Sequence, residues 1–154
     1  LLNHFLESFR GTLFRQTMFA EFEKIVHERA ASGGSLTAGA LCQIYHGLNE
    51  AYFGPDTVVD PQIDYEWERI PHFYTPFYVY QYATGFSAAV AISSRILKGE
   101  PGALEGYKEF LKGGCAKKPV ELLKLAGVDM GSPAPVEEAL KLFEELLEEF
   151  ADCL

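Results

Sequence analysis

Over most of this 154-residue chain, apolar side chains return every three or four positions, and the runs are broken by glycine and proline. That period matches 3.6 residues per turn and commits the chain to amphipathic helices. Phe5, Phe9, Leu13, Phe14, Met18, Phe22, Ile25 and Val26 carry one such stripe, which predicts a single long helix over the first thirty residues. Ser32-Gly33-Gly34-Ser35 ends it, because paired glycines favour left-handed backbone. A second helix is expected from about Leu36 to Phe53, with Leu41, Ile44, Tyr45, Leu48 and Tyr52 on its apolar side and Gly54-Pro55 as its stop.

Residues 56–75 hold prolines and short acidic stretches and read as a structured loop with one helical turn near Tyr65–Arg69. Long ordered loops in compact domains usually carry function. A third helix is expected from about Phe77 to Leu97, apolar nearly all round and so a candidate for a buried central element, with Gly85, Ser87, Ala88 and Ala91 small enough for close approach. Shorter helices follow at Ala103–Leu111, Pro119–Ala126 and Pro135–Asp152, the last with proline in its first turn. Its apolar face has Leu140, Phe143, Leu146, Leu147 and Phe150, against a face of glutamates. No strand alternation or repeat interrupts this pattern, so the fold class is all-α.

Charge and cysteine usage narrow the function. Lys+Arg number 13 against 22 Asp+Glu, a net charge of −9, which argues against a nucleic-acid binder. Cys42, Cys115 and Cys153 are odd in number and form no Cys-x-x-Cys pair, which fits free thiols in a reducing, cytoplasmic compartment. No run of about 18 apolar residues suggests a membrane span, and no signal-peptide pattern is present. The chain opens Leu1-Leu2-Asn3-His4, without Met and already within an amphipathic pattern, so a fragment is expected.

The histidines are the next filter. His27-Glu28 resembles the start of the zinc motif His-Glu-x-x-His, but Ala31 stands where the second histidine belongs. A metal site built on His27 and Glu28 remains a third, minor reading. His46 lies in an amphipathic helix and reads as structural, and His4 is uninformative. His72 differs, because Tyr74, Tyr78, Tyr80 and Tyr82 follow it within ten positions. On a helix Tyr78 and Tyr82 face the same way. Tyrosine hydroxyls and a histidine N–H are good donors to a developing oxyanion. Aromatic stripes at helical spacing are usually core, yet a buried tyrosine needs a partner that phenylalanine does not. No nucleophile elbow, phosphate loop or dinucleotide fingerprint is present.

The stretch Leu-Glu-Ser-Phe-Arg-Gly-Thr-Leu-Phe-Arg-Gln-Thr-Met-Phe-Ala-Glu-Phe-Glu resembles the oligoendopeptidase F family of thimet-oligopeptidase-like zinc metallopeptidases. The His72–Gly85 run with Phe86-Ser87-Ala88-Ala89, the Tyr52-Phe53-Gly54 turn and Lys124-Leu125-Ala126-Gly127-Val128-Asp129 are similar to that family's C-terminal portion. The resemblance covers essentially residues 1–154. It implies the C-terminal helical part of a larger helical metallopeptidase that cleaves short peptides. It also implies a zinc held by a His-Glu-x-x-His motif and a downstream Glu, all upstream of Leu1, with no metal bound by this chain alone.

The same resemblance assigns His72, Tyr78 and Tyr82 to oxyanion stabilisation, and Tyr74 and Tyr80 to substrate binding. The spacing from His72 to the tyrosines does not align uniquely, so all four tyrosines stay in consideration. The chain alone is then expected to be inactive and to self-associate through apolar surface that the rest of the protein would cover. The alternative is a non-catalytic helical binding domain that keeps the family scaffold. An upstream sequence with or without His-Glu-x-x-His separates the two.

Overall fold

A computed structural model describes residues 1–153. Among them there are helices and connecting turns and no strands. The chain divides into two compact units, Phe14–Ala83 and a second made of Leu1–Leu13 with the residues from Thr84 onward.

The expected first helix is present with an irregularity inside it. Helix α1 (Leu2–Ser8) passes through a π-helical segment (Phe9–Phe14) into α2 (Arg15–Ala31). Buried positions step by four from Phe9 to Leu13 and by five from Leu13 to Met18. The π segment buries Phe9 and Leu13, and a boundary between the two units falls at its end. Gly33, at φ +80°, follows the end of α2. Helix α3 (Ala38–Phe53) starts two residues later than its periodicity predicts, because Thr37 caps it, accepting the Ala40 N–H at 3.2 Å.

The loop expected over residues 56–75 is more regular than one helical turn. It contains a 3-10 helix over Pro61–Arg69, capped by the Asp60 carboxylate, and a second over Pro71–Tyr74. Proline opens both, where its missing N–H costs nothing. Within Phe14–Ala83, α2 contributes Met18, Phe19 and Phe22 to the core, and α3 contributes Tyr45 and Leu48. Ile70 and Val79, from the segment that follows the first 3-10 helix, complete it.

Helix α4 (Tyr80–Leu97) begins three residues after the expected Phe77. Phe77 has φ +59°, which no right-handed helix can include. The helix is not buried all round either. Ser87, Ala88, Val90, Ala91 and Ile92 are buried, but Tyr80, Gln81, Tyr82, Gly85, Ala89 and Ser93 are exposed. Residue type alone hid that division, because Tyr80, Tyr82 and Ala89 count as apolar yet stand exposed.

In the second unit, α1 packs with α7 (Ala134–Ala151), and Phe9 meets Phe86 edge-on at 4.9 Å and Phe143 at 5.5 Å. Ala88, Ala91 and Ile92 pack with Ala126 and Val128. Helices α5 (Ala103–Gly113) and α6 (Pro119–Leu125) pair closely. Glycine allows this: a Cβ at Gly106 would lie 2.5 Å from the Leu125 carbonyl oxygen, and one at Gly113 would lie 2.6 Å from Leu122 Cδ2. Arg95 Nη1 donates to the Ala126 carbonyl at 2.7 Å and Nε to Glu100 at 2.7 Å, seating its guanidinium where a side chain on Gly127 would fall.

Candidate functional site

The aromatic run after the first 3-10 helix sorts its side chains into anchors and projections. Ile70 and Val79 are buried, and Phe73 packs against Phe19 at 5.4 Å and Phe22 at 5.2 Å. His72, half-buried, and the exposed Tyr74, Tyr78, Tyr80 and Tyr82 lie on the other side of this division. Tyr78 and Tyr82 are 38% and 39% exposed, so core filling does not account for them.

Three of the rings converge. His72 lies parallel to Tyr78, with centroids 5.5 Å apart and planes 1° apart. Tyr82 stands edge-on to both, 6.0 Å from His72 and 5.5 Å from Tyr78. The Tyr82 hydroxyl donates to the Tyr78 hydroxyl oxygen at 3.3 Å. That bond, with slight desolvation, raises the Tyr82 phenol above its ordinary value. With one hydroxyl donating to the other, the Tyr78 proton is not used by this bond. Tyr74, at 85% exposure, stands out into solvent, and Tyr80 is half-exposed on the first residue of α4.

The turn that sets Tyr78 was not foreseen from the sequence. Phe77 takes a left-handed conformation, and its N–H donates to Glu23 Oε1 at 2.9 Å. Glu23 is buried on α2, and one turn further along α2 the His27 ring lies 4.7 Å from the Phe77 ring. A carboxylate directly after Phe22 on an apolar stripe was the available signal.

Two further polar groupings tie the 3-10 segment down. Buried Glu66 accepts from the Tyr45 hydroxyl at 2.6 Å, from Arg15 at 2.6 Å and from Arg69. Burial alone would raise the Glu66 carboxyl, but the bonds from Tyr45 and Arg15 and the charges of Arg15 and Arg69 outweigh it and hold it below its ordinary value. Burial and the same bond push the Tyr45 phenol well up. His46 Nδ1 lies 2.6 Å from Asp64, with Glu50 at 3.5 Å, and the Asp64 bond raises its imidazole. This fits the structural role expected for His46.

Among the described residues no cluster of three or more His, Cys, Asp or Glu side chains is placed to hold a metal ion. The three cysteines are free thiols. Among the described residues no helix is long and apolar enough to cross a membrane.

The model of peptidase family M3 matches residues 1–142 of this helical chain. The chain belongs to peptidase family M3. It is 55% identical over 154 residues to Oligopeptidase PepF of Bacillus subtilis, covering 100% of this chain and 23% of that protein. It is 48% identical over 149 residues to the chromosomal oligoendopeptidase F of Lactococcus lactis subsp. cremoris, covering 97% and 25%. The crystal structure of oligoendopeptidase-F from Enterococcus faecium superposes with a TM-score of 0.96 at 50% identity, covering 98% of this chain and 29% of that one. The chain therefore spans about a quarter of the length of the curated relatives it matches.

Proposed function

We propose that this chain is the C-terminal helical part, residues 1–154, of a cytoplasmic zinc oligopeptidase, and that it supplies the wall that grips a short peptide during hydrolysis. The observation that carries this reading is the convergence of His72, Tyr78 and Tyr82 into one exposed group with two hydroxyls 3.3 Å apart. Family membership and relatives named as oligopeptidases support peptides as the substrate class.

Among the described residues no group of three His, Cys, Asp or Glu side chains is placed to hold a metal ion. Zinc is assigned to residues outside this chain, and no step here is derived through it. What these side chains can do is donate. As a scissile carbonyl becomes tetrahedral, negative charge gathers on its oxygen, and fixed O–H and N–H groups already aimed there need no reorganisation. Tyr78 supplies the donating hydroxyl, Tyr82, whose own proton goes to the Tyr78 oxygen, holds and polarises it, and His72 supplies a ring N–H. Tyr74 and Tyr80, exposed beside them, are assigned to contacts along the peptide. Where the rest of the protein is absent, the exposed apolar residues of this chain favour self-association.

The test is substitution in the full-length peptidase. Removing one oxyanion donor typically costs about 10²–10³ in kcat. Tyr78→Phe and Tyr82→Phe should each show such a loss with KM and zinc content little changed, whereas Tyr74→Ala should act mainly on KM. Undiminished kcat in Tyr78→Phe and Tyr82→Phe would remove the oxyanion role. A full-length protein that binds peptides without cleaving them would favour a non-catalytic binding domain.

A further inference from the structure

Among the described residues Phe77 is the non-glycine residue with positive φ, at +59°. That conformation crowds Cβ against the following carbonyl, and a bulky side chain adopts it only where its surroundings impose it. Here the surroundings are two side chains of α2. Glu23, 4% exposed, accepts the Phe77 N–H at 2.9 Å, and His27, four residues on, holds the Phe77 ring at a centroid distance of 4.7 Å. One helix thus grips both the backbone and the ring of the strained residue.

The next residue is Tyr78, whose ring lies parallel to His72 and whose hydroxyl receives Tyr82's. Val79, fully buried, pins the chain on the far side. Tyr78 therefore sits between a forced left-handed turn and a buried anchor, and its direction follows from the φ of Phe77.

We infer that Glu23 and His27 are positioning residues for Tyr78: they hold the left-handed turn at Phe77 that sets the Tyr78 hydroxyl against Tyr82. The kinetic consequence rests on the reading of Tyr78 as an oxyanion donor; the clamp itself does not. Glu23→Leu removes the acceptor, and Glu23→Gln keeps an oxygen in its place. His27→Ala, at an exposed site, loosens the ring side alone.

In the full-length peptidase, Glu23→Leu should lower kcat about 10- to 100-fold with KM within about threefold, Glu23→Gln should stay within about threefold of the parent, and His27→Ala should lose about three- to tenfold. When Tyr78→Phe is already present, Glu23→Leu and His27→Ala should cost less than about threefold more, because the residue they position has lost its hydroxyl. Hydrogen exchange followed by mass spectrometry over residues 76–80 should be about tenfold faster or more in Glu23→Leu, and unchanged in Glu23→Gln. Should Glu23→Leu fail to fold, His27→Ala carries the same kinetic test. Equal kcat losses with and without Tyr78→Phe would reduce both residues to scaffold and overturn the inference, as would exchange that Glu23→Leu leaves unmoved. If Tyr78→Phe alone leaves kcat intact while Glu23→Leu speeds exchange, the clamp stands and the oxyanion reading falls.

Discussion

A phenolic hydroxyl is cheap in water and demanding in a core, and this chain uses tyrosine in both settings. Tyr45 is wholly buried and spends its hydroxyl on Glu66, whereas Tyr78 and Tyr82 keep theirs at the surface. Glu66 is held by Tyr45, Arg15 and Arg69, so its folded carboxyl lies below the unfolded value near 4.5. A depressed carboxyl stabilises the fold above its unfolded value and loses that contribution as pH falls through the folded one. Glu66→Gln should therefore cost about 2–4 kcal/mol at pH 7, with the deficit shrinking below about pH 4. Urea unfolding of the 154-residue chain at both pH values checks this, and a deficit as large at pH 3 as at pH 7 would contradict it. Little of this network was legible beforehand. Helical spacing put Tyr78 and Tyr82 on one side, but Tyr78 precedes α4, which starts at Tyr80, so their approach also depends on the turn at Phe77. The approach of His72 depends on a non-helical turn at Phe77, and Glu66 reaches Arg15 across 51 positions of sequence, where periodicity carries no information.

At the scale of elements, glycine separates what periodicity can read from what it cannot. Gly47 lies inside α3 with nothing within 4 Å of a Cβ built on it, whereas a Cβ on Gly106 of α5 would meet the Leu125 carbonyl oxygen at 2.5 Å. Both sit in helices, where glycine gives up more backbone freedom than alanine on folding. Gly47→Ala should stabilise the chain by about 0.5–1 kcal/mol. Gly106→Ala should destabilise it by about 1–3 kcal/mol, since a backbone carbonyl cannot rotate aside as a flexible side chain can. Thermal melts of the two variants should move in opposite directions, and a shared direction would count against the α5–α6 contact. The same limit governed the reading of element ends. Stop residues located helix ends because their signals are local: Gly33 and Gly54 mark ends that the sequence already suggested, whereas the Thr37 cap moved the start of α3 past the expected Leu36. The π turn and the late start of α4 answer to packing and to Glu23, which lie outside any one helix's own pattern.

For the molecule as a whole, the periodicity that gave an all-α class could not reveal two units. Their boundaries, at Leu13–Phe14 and Ala83–Thr84, fall inside helical stretches rather than in linkers. Composition shifts mark a boundary only where the chain leaves regular structure. Net charge acts at this scale too. At −9, copies of the chain repel one another, while Leu1, Val58 and Leu97 stand almost fully exposed and the phenols of Tyr74, Tyr78 and Tyr80 are open to solvent. Apolar attraction between copies is short-ranged and barely altered by dilute salt, whereas the repulsion reaches about 30 Å at 0.01 M salt and about 3 Å at 1 M. Raising the salt therefore removes the opposing term and leaves the attractive one. Sedimentation equilibrium should find the chain near its 17.2 kDa monomer mass at low salt and pH 7, and heavier at 1 M salt. Moving to pH 5, close to the sequence pI of about 4.9, should have the same effect, because protonation reduces the charge that screening would otherwise mask. A mass that stays monomeric under all three conditions would mean that the exposed side chains are too scattered to associate, and the self-association proposed for the isolated chain would fail with it.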